Sequence, residues 1–174
     1  DLSVIRTLCE KYDFALSKGF GQNFIINPGL PPKIVDASGV DKSWGVLEIG
    51  PGIGVLTAEL ARRARKVVSL ELDRRLLPVL AETLSDFGNV EIVNEDILKA
   101  DLRTILKEQF AGMEVSVCAN LPYYITSPVI MRLLEERLPF RSIIVMVQKE
   151  AAERLCAPVG SREAGAVTVA VQYY

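Results

Sequence analysis

Short runs of β-branched apolar residues alternate along the chain with stretches whose apolar positions recur at helical spacing. The runs are VLEIG (46–50), VVSLEL (67–72), VEIV (90–93), VSVCAN (115–120), SIIVMVQ (142–148) and VTVAVQYY (167–174). Helical patterns fall near 54–64, 74–85, 102–109, 127–137 and 149–156, after an amphipathic opening at 3–12 and a helix near 31–37 that GV ends. Strands with little polar alternation, separated by helices, predict a mostly parallel sheet covered on both faces. The class expected is α/β, doubly wound and Rossmann-like. VTVAVQYY stops in mid-strand with no turn or polar tail. A chain truncated before its last strand is therefore expected.

Composition changes this picture little. The 174 residues are enough for one domain with a sizeable core, and a hydrophobic fraction of 49% with 24% charged residues suits a soluble globular protein. No apolar run approaches the roughly eighteen residues of a membrane span, and no basic-then-apolar leader is read at the start. The three cysteines, Cys9, Cys118 and Cys156, are widely separated and lack metal-ligand spacing. A cytoplasmic protein without a disulfide framework or zinc site is expected. Histidine is absent, which removes the commonest general base and the commonest metal ligand. With a net charge of −2, no global field draws nucleic acid, so a polyanion would meet local patches. Arg62, Arg63, Arg65 and Lys66 form one; Lys149, Arg154 and Arg162 form another. Either reads equally as a solvated helix face.

The chemistry concentrates at the ends of the expected strands. EIGPGIG (48–54) follows the first strand and opens a helix, and glycines such as Gly50 and Gly52 let a ligand approach the main chain. Glu71 lies 21 residues after Gly50, where a carboxylate can accept both hydroxyls of a ribose. Asp96, followed by Ile97 in NEDI (94–97), ends the third strand and is placed to meet an adenine edge. Each carboxylate alone reads also as a helix cap or a solvated group; the three strand ends together point to an adenosine derivative, either NAD or S-adenosylmethionine. Pro51 removes an amide that a pyrophosphate would want, and Glu48 is a charge better suited to a cationic ligand. Both details favour S-adenosylmethionine.

The fourth strand ends in NLPYYITSP (120–128). A turn capped by Thr126 or Ser127 explains part of it. The rest fits a clamp for the exocyclic amine of adenine, a poor nucleophile because its lone pair is delocalised into the ring. The Asn120 side-chain oxygen and the Leu121 carbonyl would accept its two N–H bonds and free the lone pair. Pro122 would aim that carbonyl, and Tyr123 would stack on the base.

At these residues the chain resembles the small-subunit ribosomal RNA adenine-N6,N6-dimethyltransferases (the KsgA type), from about Tyr12 to the last residue. The likeness is carried by KGFGQNFIINP (18–28), EIGPGIG, ELD (71–73), NED, NLPYYITSP, MVQKEAAERL (146–155) and AVQYY (170–174). The resemblance implies a class I S-adenosylmethionine-dependent methyltransferase domain, followed in the family by a small helical domain. It implies two successive methylations of each of two adjacent adenines of small-subunit rRNA. The acceptor would lie within the pre-small-subunit particle and the enzyme would act as a monomer. Gln22, Asn23 and Ile25 would line the cofactor pocket near its methionine part, with Gly50 in the loop, Glu71 on the ribose and Asp96 on the adenine. Asn120 would sit between cofactor and target amine. Phe20, Ile25 and the Gly165-Ala-Val stretch depart from the family pattern, the last losing a basic residue. Other readings of the same scaffold are a large-subunit rRNA methylase of the antibiotic-resistance type, a non-catalytic RNA- or DNA-binding factor, and an NAD-dependent oxidoreductase.

Overall fold

The structure, a computed structural model, describes Thr7, Leu8, residues 10–12 and residues 27–174. Gln22, Asn23 and Ile25 lie outside the described residues, as does most of KGFGQNFIINP.

Five strands, β1 (Gly45–Ile49), β2 (Lys66–Leu70), β3 (Val90–Val93), β4 (Val115–Asn120) and β5 (Phe140–Met146), form one sheet in the order β3-β2-β1-β4-β5. Every pairing is parallel. All five residues of β1 and the first five of β4 are buried. That double-sided cover is why these runs lack polar alternation. Val46, Val67 and Cys118 face one side with Val35 and Leu60, beneath α1 (Leu30–Ser38) and α2 (Val55–Arg63). Leu47, Val68 and Val117 face the other with Leu102, Val129 and Leu133, beneath α4 (Leu102–Gln109) and α5 (Thr126–Glu135). Between α2 and α4 lies α3 (Leu77–Thr83), whose Val79 and Leu80 pack with Ile53 and Leu8. The α/β, doubly wound reading of the sequence holds. Its chain reversal falls between β1 and β4, which pair with Ile49 opposite Ala119. Ligands of open α/β sheets bind outside the carboxyl ends of the strands at such a point.

Two elements differ from expectation. The helix read at 74–85 is split into a 3-10 turn, Arg74–Leu76, and α3. Pro78 lies in the first turn of α3, where its missing N–H costs nothing. Asp73 accepts the Arg75 N–H at 3.0 Å and caps the preceding turn.

The segment read as the strand VTVAVQYY is helix α7 (Ala166–Tyr173), packed against α5 and α6 (Lys149–Cys156). Thr168 sets it. Its hydroxyl accepts the Gly165 N–H at 2.9 Å, capping the helix start, and donates to the Arg154 carbonyl at 2.6 Å. Gln172 donates to the Ala157 carbonyl at 2.8 Å. Val167, Thr168 and Ala170 are buried, whereas Val169 and Val171 are exposed. Tertiary contacts of that face override the weak strand preference of the valines.

Candidate active site

The loop after β1 is built from glycines in the left-handed region, with φ 70 at Gly50, 61 at Gly52 and 87 at Gly54. The Gly50 N–H donates to the Leu70 carbonyl at 3.0 Å, so the turn begins by crossing onto the end of β2. Gly54 caps α2, and there a Cβ would crowd Leu84 and Thr83 at 3.1 Å. The loop is thus bent over a cleft of about 430 Å³ at the carboxyl edge of β1 to β4. A cleft of that size suits a small-molecule ligand.

Four strand ends supply its walls. Gly50, Pro51 and Gly52 come from β1, Glu71 and Leu72 from β2, Asp96, Ile97 and Leu98 from β3, and Asn120, Leu121 and Pro122 from β4. Gly50, Gly52, Glu71, Asp96, Ile97 and Asn120, singled out for cofactor binding in the sequence, all line this one cleft, whereas Glu48 does not. Most of the lining is apolar, and the carboxylates of Glu71 and Asp96 stand within it.

Glu71 follows the last residue of β2 and is 6% exposed. Its Oε1 accepts the Asp73 N–H at 2.7 Å. Burial raises its pKa, while the backbone N–H groups of Asp73, Gly52 and Leu72 favour the charged form. A buried carboxylate held at the glycine loop is a fixed acceptor. Asp96 accepts the Leu98 N–H at 2.9 Å through Oδ1, a local turn, and Lys99 Nζ stands 3.9 Å from its Oδ2. Asn94 joins these two loops, donating to the Glu71 carbonyl at 2.7 Å and accepting from Arg74 Nε at 2.9 Å.

At the end of β4, Asn120 completes the pairing with Met146, and the next residue, Leu121, donates its N–H to the Met146 carbonyl at 3.0 Å. The Pro122 carbonyl accepts both the Ile125 N–H at 3.2 Å and the Thr126 hydroxyl at 3.0 Å. The helix cap expected from Thr126 or Ser127 is not made: Ile125 stands at the N-cap with no side-chain hydrogen bond, and Thr126, the first helical residue, turns its hydroxyl back onto Pro122. Leu121 is buried, so this corner is anchored in the core rather than free to swing. Tyr123 is 64% exposed and stands outside the cleft lining, edge-on to Tyr124 with ring centroids 5.7 Å apart. Tyr124 lines the cleft, its phenol held above its ordinary range by burial, by Tyr123 and by Glu71.

Glu48 differs from the sequence reading, which gave its charge to the ligand. It is not among the cleft residues. Alternate residues of a strand face opposite sides, and Glu48 shares its side with Ser69, whose hydroxyl donates to Oε2 at 2.6 Å. Fully buried against Thr57 of α2, its carboxyl is raised from 4.5 to about 7, burial being the largest cause. It ties β1 to β2 through Ser69 and faces α2. Cys118, on the same face, has its thiol pushed up to about 12 by burial and by Glu48, which makes it inert. Among the described residues no group of three His, Cys, Asp or Glu side chains could hold a metal ion.

Sequence reasoning passed over Leu72, Asn94 and Tyr124. Asn94 had a signal, its place in NED. Leu72, 61% exposed at the cleft rim, had none, because an exposed leucine beside a strand end reads as chance.

Comparison with known proteins agrees with this geometry. The family model "Ribosomal RNA adenine dimethylase" matches residues 14–174. Curated relatives named ribosomal RNA small subunit methyltransferase A include that of Anoxybacillus flavithermus, 53% identical over 97% of this chain, and that of Geobacillus thermodenitrificans, 54% identical over 97%. The chain spans 58% of the length of each. Among solved structures, a dimethyladenosine transferase from Plasmodium falciparum superposes with a TM-score of 0.71 at 33% identity, covering 85% of this chain and 51% of that one. The 23S rRNA methyltransferase ErmE gives 0.65 at 32% identity, covering 79% and 53%. Motifs, fold and matched length lead to one conclusion: the chain belongs to the ribosomal RNA adenine dimethylase family.

Proposed function

We propose that this chain is the catalytic part of a methyltransferase that uses S-adenosylmethionine to dimethylate the N6 amine of two adjacent adenines in small-subunit ribosomal RNA. One observation carries the reading: the cleft at the chain reversal brings Gly50, Glu71, Asp96 and Asn120 to a single cavity. The donor set suits the cofactor. Glu71 offers a buried acceptor for ribose hydroxyls, Asp96 one for an adenine amine, and the apolar walls a place for the ring. Pro51 and the four acidic lining residues, Glu71, Asp73, Glu95 and Asp96, make the cleft a poor seat for a pyrophosphate, which counts against a dinucleotide. When bound, S-adenosylmethionine supplies a methyl group activated by its sulfonium.

The remaining work falls to the chain. Asn120 and the Leu121 carbonyl accept the two N–H bonds of the target amine, which favours a pyramidal nitrogen with its lone pair available. Pro122 fixes the corner, and the core contacts of Leu121 keep it rigid. Tyr123, exposed outside the cleft, offers its ring to a base that arrives from solvent, a stacking contact of roughly 1–3 kcal/mol. The amine that receives the methyl group would become cationic and would lose its proton to water beside Asn120 and the Leu121 carbonyl. No histidine is needed. Gln22, Asn23 and Ile25, outside the described residues, would complete the cofactor pocket on its methionine side. The enzyme would act in the cytoplasm, as a monomer, on the pre-small-subunit particle. Curated relatives at 53% and 54% identity are small-subunit enzymes by name, which favours that substrate over the large subunit.

Small ribosomal subunits from cells lacking the modification, incubated with this protein and S-adenosylmethionine, test the proposal by nucleoside mass spectrometry. N6,N6-dimethyladenosine in the small-subunit RNA is the expected product. Methylation of large-subunit RNA alone would transfer the protein to the other branch of the family.

A further inference from the structure

The cofactor wall and the amine clamp lie on separate loops, and one side chain joins them. Arg132 sits in the last turn of α5, the helix that begins where the clamp ends. Its Nη1 donates to the Ile97 carbonyl and its Nη2 to the Ala100 carbonyl, both in the loop that follows Asp96. Its Nε donates to Glu136 at 2.6 Å, which holds the guanidinium in plane. The loop itself is coiled on Asp96, whose carbonyl accepts both the Lys99 and Ala100 N–H groups at 2.8 Å. Ile97 and Ala100 are buried; the Ala100 carbonyl also accepts the Leu102 N–H at 3.0 Å, whereas the Ile97 carbonyl is met by Arg132, and an unmet acceptor in a poorly hydrated region is costly. Asn94 ties the near end of the same loop to the carbonyls of Glu71 and Leu72. At the far end Ile97 and Ala100 pack in the core, and among the described residues' side chains Arg132 supplies the hydrogen bonds to their carbonyls.

We propose that Arg132 is a positioning residue: its guanidinium locks the 96–100 wall of the cofactor cleft to the helix carrying the target-base clamp. The three donors point in three fixed directions, onto two carbonyls and a carboxylate, which only the planar fork of arginine satisfies at once. The inference rests on the cofactor reading proposed above. It adds that the affinity for the adenosine part depends on a residue that touches no ligand. Arg103 provides the control, since it donates to the Glu136 carbonyl at 2.8 Å and braces the end of α5 without reaching the 96–100 loop.

The test is calorimetric titration of S-adenosylhomocysteine into wild type, Arg132→Met, Arg132→Lys and Arg103→Met, each with its own thermal unfolding curve. Loss of two charge-assisted hydrogen bonds to the wall should weaken binding about tenfold in Arg132→Met. Arg132→Lys, which keeps the charge but spans only one carbonyl, should bind about threefold more weakly than wild type. Arg103→Met should lower the melting temperature and leave affinity unchanged. If Arg132→Met does not fold, Arg132→Lys carries the comparison. Wild-type affinity in the Arg132 variants, or an equal loss in Arg103→Met, would overturn the positioning role while leaving the cofactor site intact. A wild type that binds no S-adenosylhomocysteine would overturn the cofactor reading and this inference with it.

Discussion

At one end of β1, Gly45 lies under the Phe110 ring, where a Cβ would stand 2.3 Å from a ring carbon. At the other end, Gly50 turns with φ 70 in open space, the nearest atom to a Cβ being the Asn120 carbonyl oxygen at 4.0 Å. The first glycine is there so that a neighbour can pack; the second so that the chain can turn and leave room for something else. Around Gly45 the residues serve burial, with Phe110 2% exposed in the core. Around Gly50 they line a cleft. One strand separates the part of the molecule that holds it together from the part that lines the cleft. Changes at the amino end should therefore cost stability without affinity, whereas changes at the carboxyl end should reach the ligand.

The sharpest separation is expected at Asn120. Asn120→Ala should lower methyl transfer by roughly 10³-fold, as loss of a positioned polar contact to a reacting group does. Cofactor affinity should stay close to wild type in the same preparation. Single-turnover methylation beside calorimetry measures both, and retained turnover would remove the clamp.

Glu48 lies between the two ends and is expected to answer to pH. Its folded pKa of about 7 stands above the ordinary 4.5, so between those values the folded state holds a proton that the unfolded chain has released. The stability it contributes is complete below pH 4.5 and lost as pH rises through 7, roughly 3 kcal/mol in all. Glu71, also raised by burial, adds a contribution of the same sign. Glu48→Gln keeps an acceptor for Ser69 and gains a donor facing Thr57. Urea unfolding at pH 5 to 8 should show a flatter profile for the variant than for wild type. Parallel profiles would mean that the carboxyl does not titrate in this window.

Smaller effects are expected at the glycines. Gly45→Ala should cost about 2 kcal/mol through overpacking against Phe110 and leave cofactor affinity unchanged. Gly50→Ala should cost about 1 kcal/mol from its left-handed backbone and weaken the cofactor severalfold. Denaturation and titration of the pair decide it; reversed effects would dissolve the contrast between the ends of β1.

What was legible in the sequence followed from rules that act locally. Continuous apolar runs announced a buried parallel sheet because both faces of β1 and β4 are covered. Gly50, Glu71 and Asp96 could be assembled because strand ends of a doubly wound sheet share one edge. What was hidden depended on contacts between distant segments. Thr168 reads as a strand residue until its partner, the Arg154 carbonyl, is known. Glu48 reads as a site residue until the pleat turns it toward Ser69. Gly45 has no signal of its own, since its reason is a phenyl ring 65 positions away. Arg132 is a helix-surface arginine in the sequence, and only the fold brings the Ile97 and Ala100 carbonyls to it.

The central claim, that the carboxyl edge of β1 to β4 binds the adenosine part of S-adenosylmethionine, is tested most directly by titrating S-adenosylhomocysteine into wild type and Glu71→Ala. One site is expected in wild type, with affinity reduced by about 30-fold in the variant, the loss of two hydrogen bonds to a charged acceptor. Equal affinity in the two proteins would contradict it.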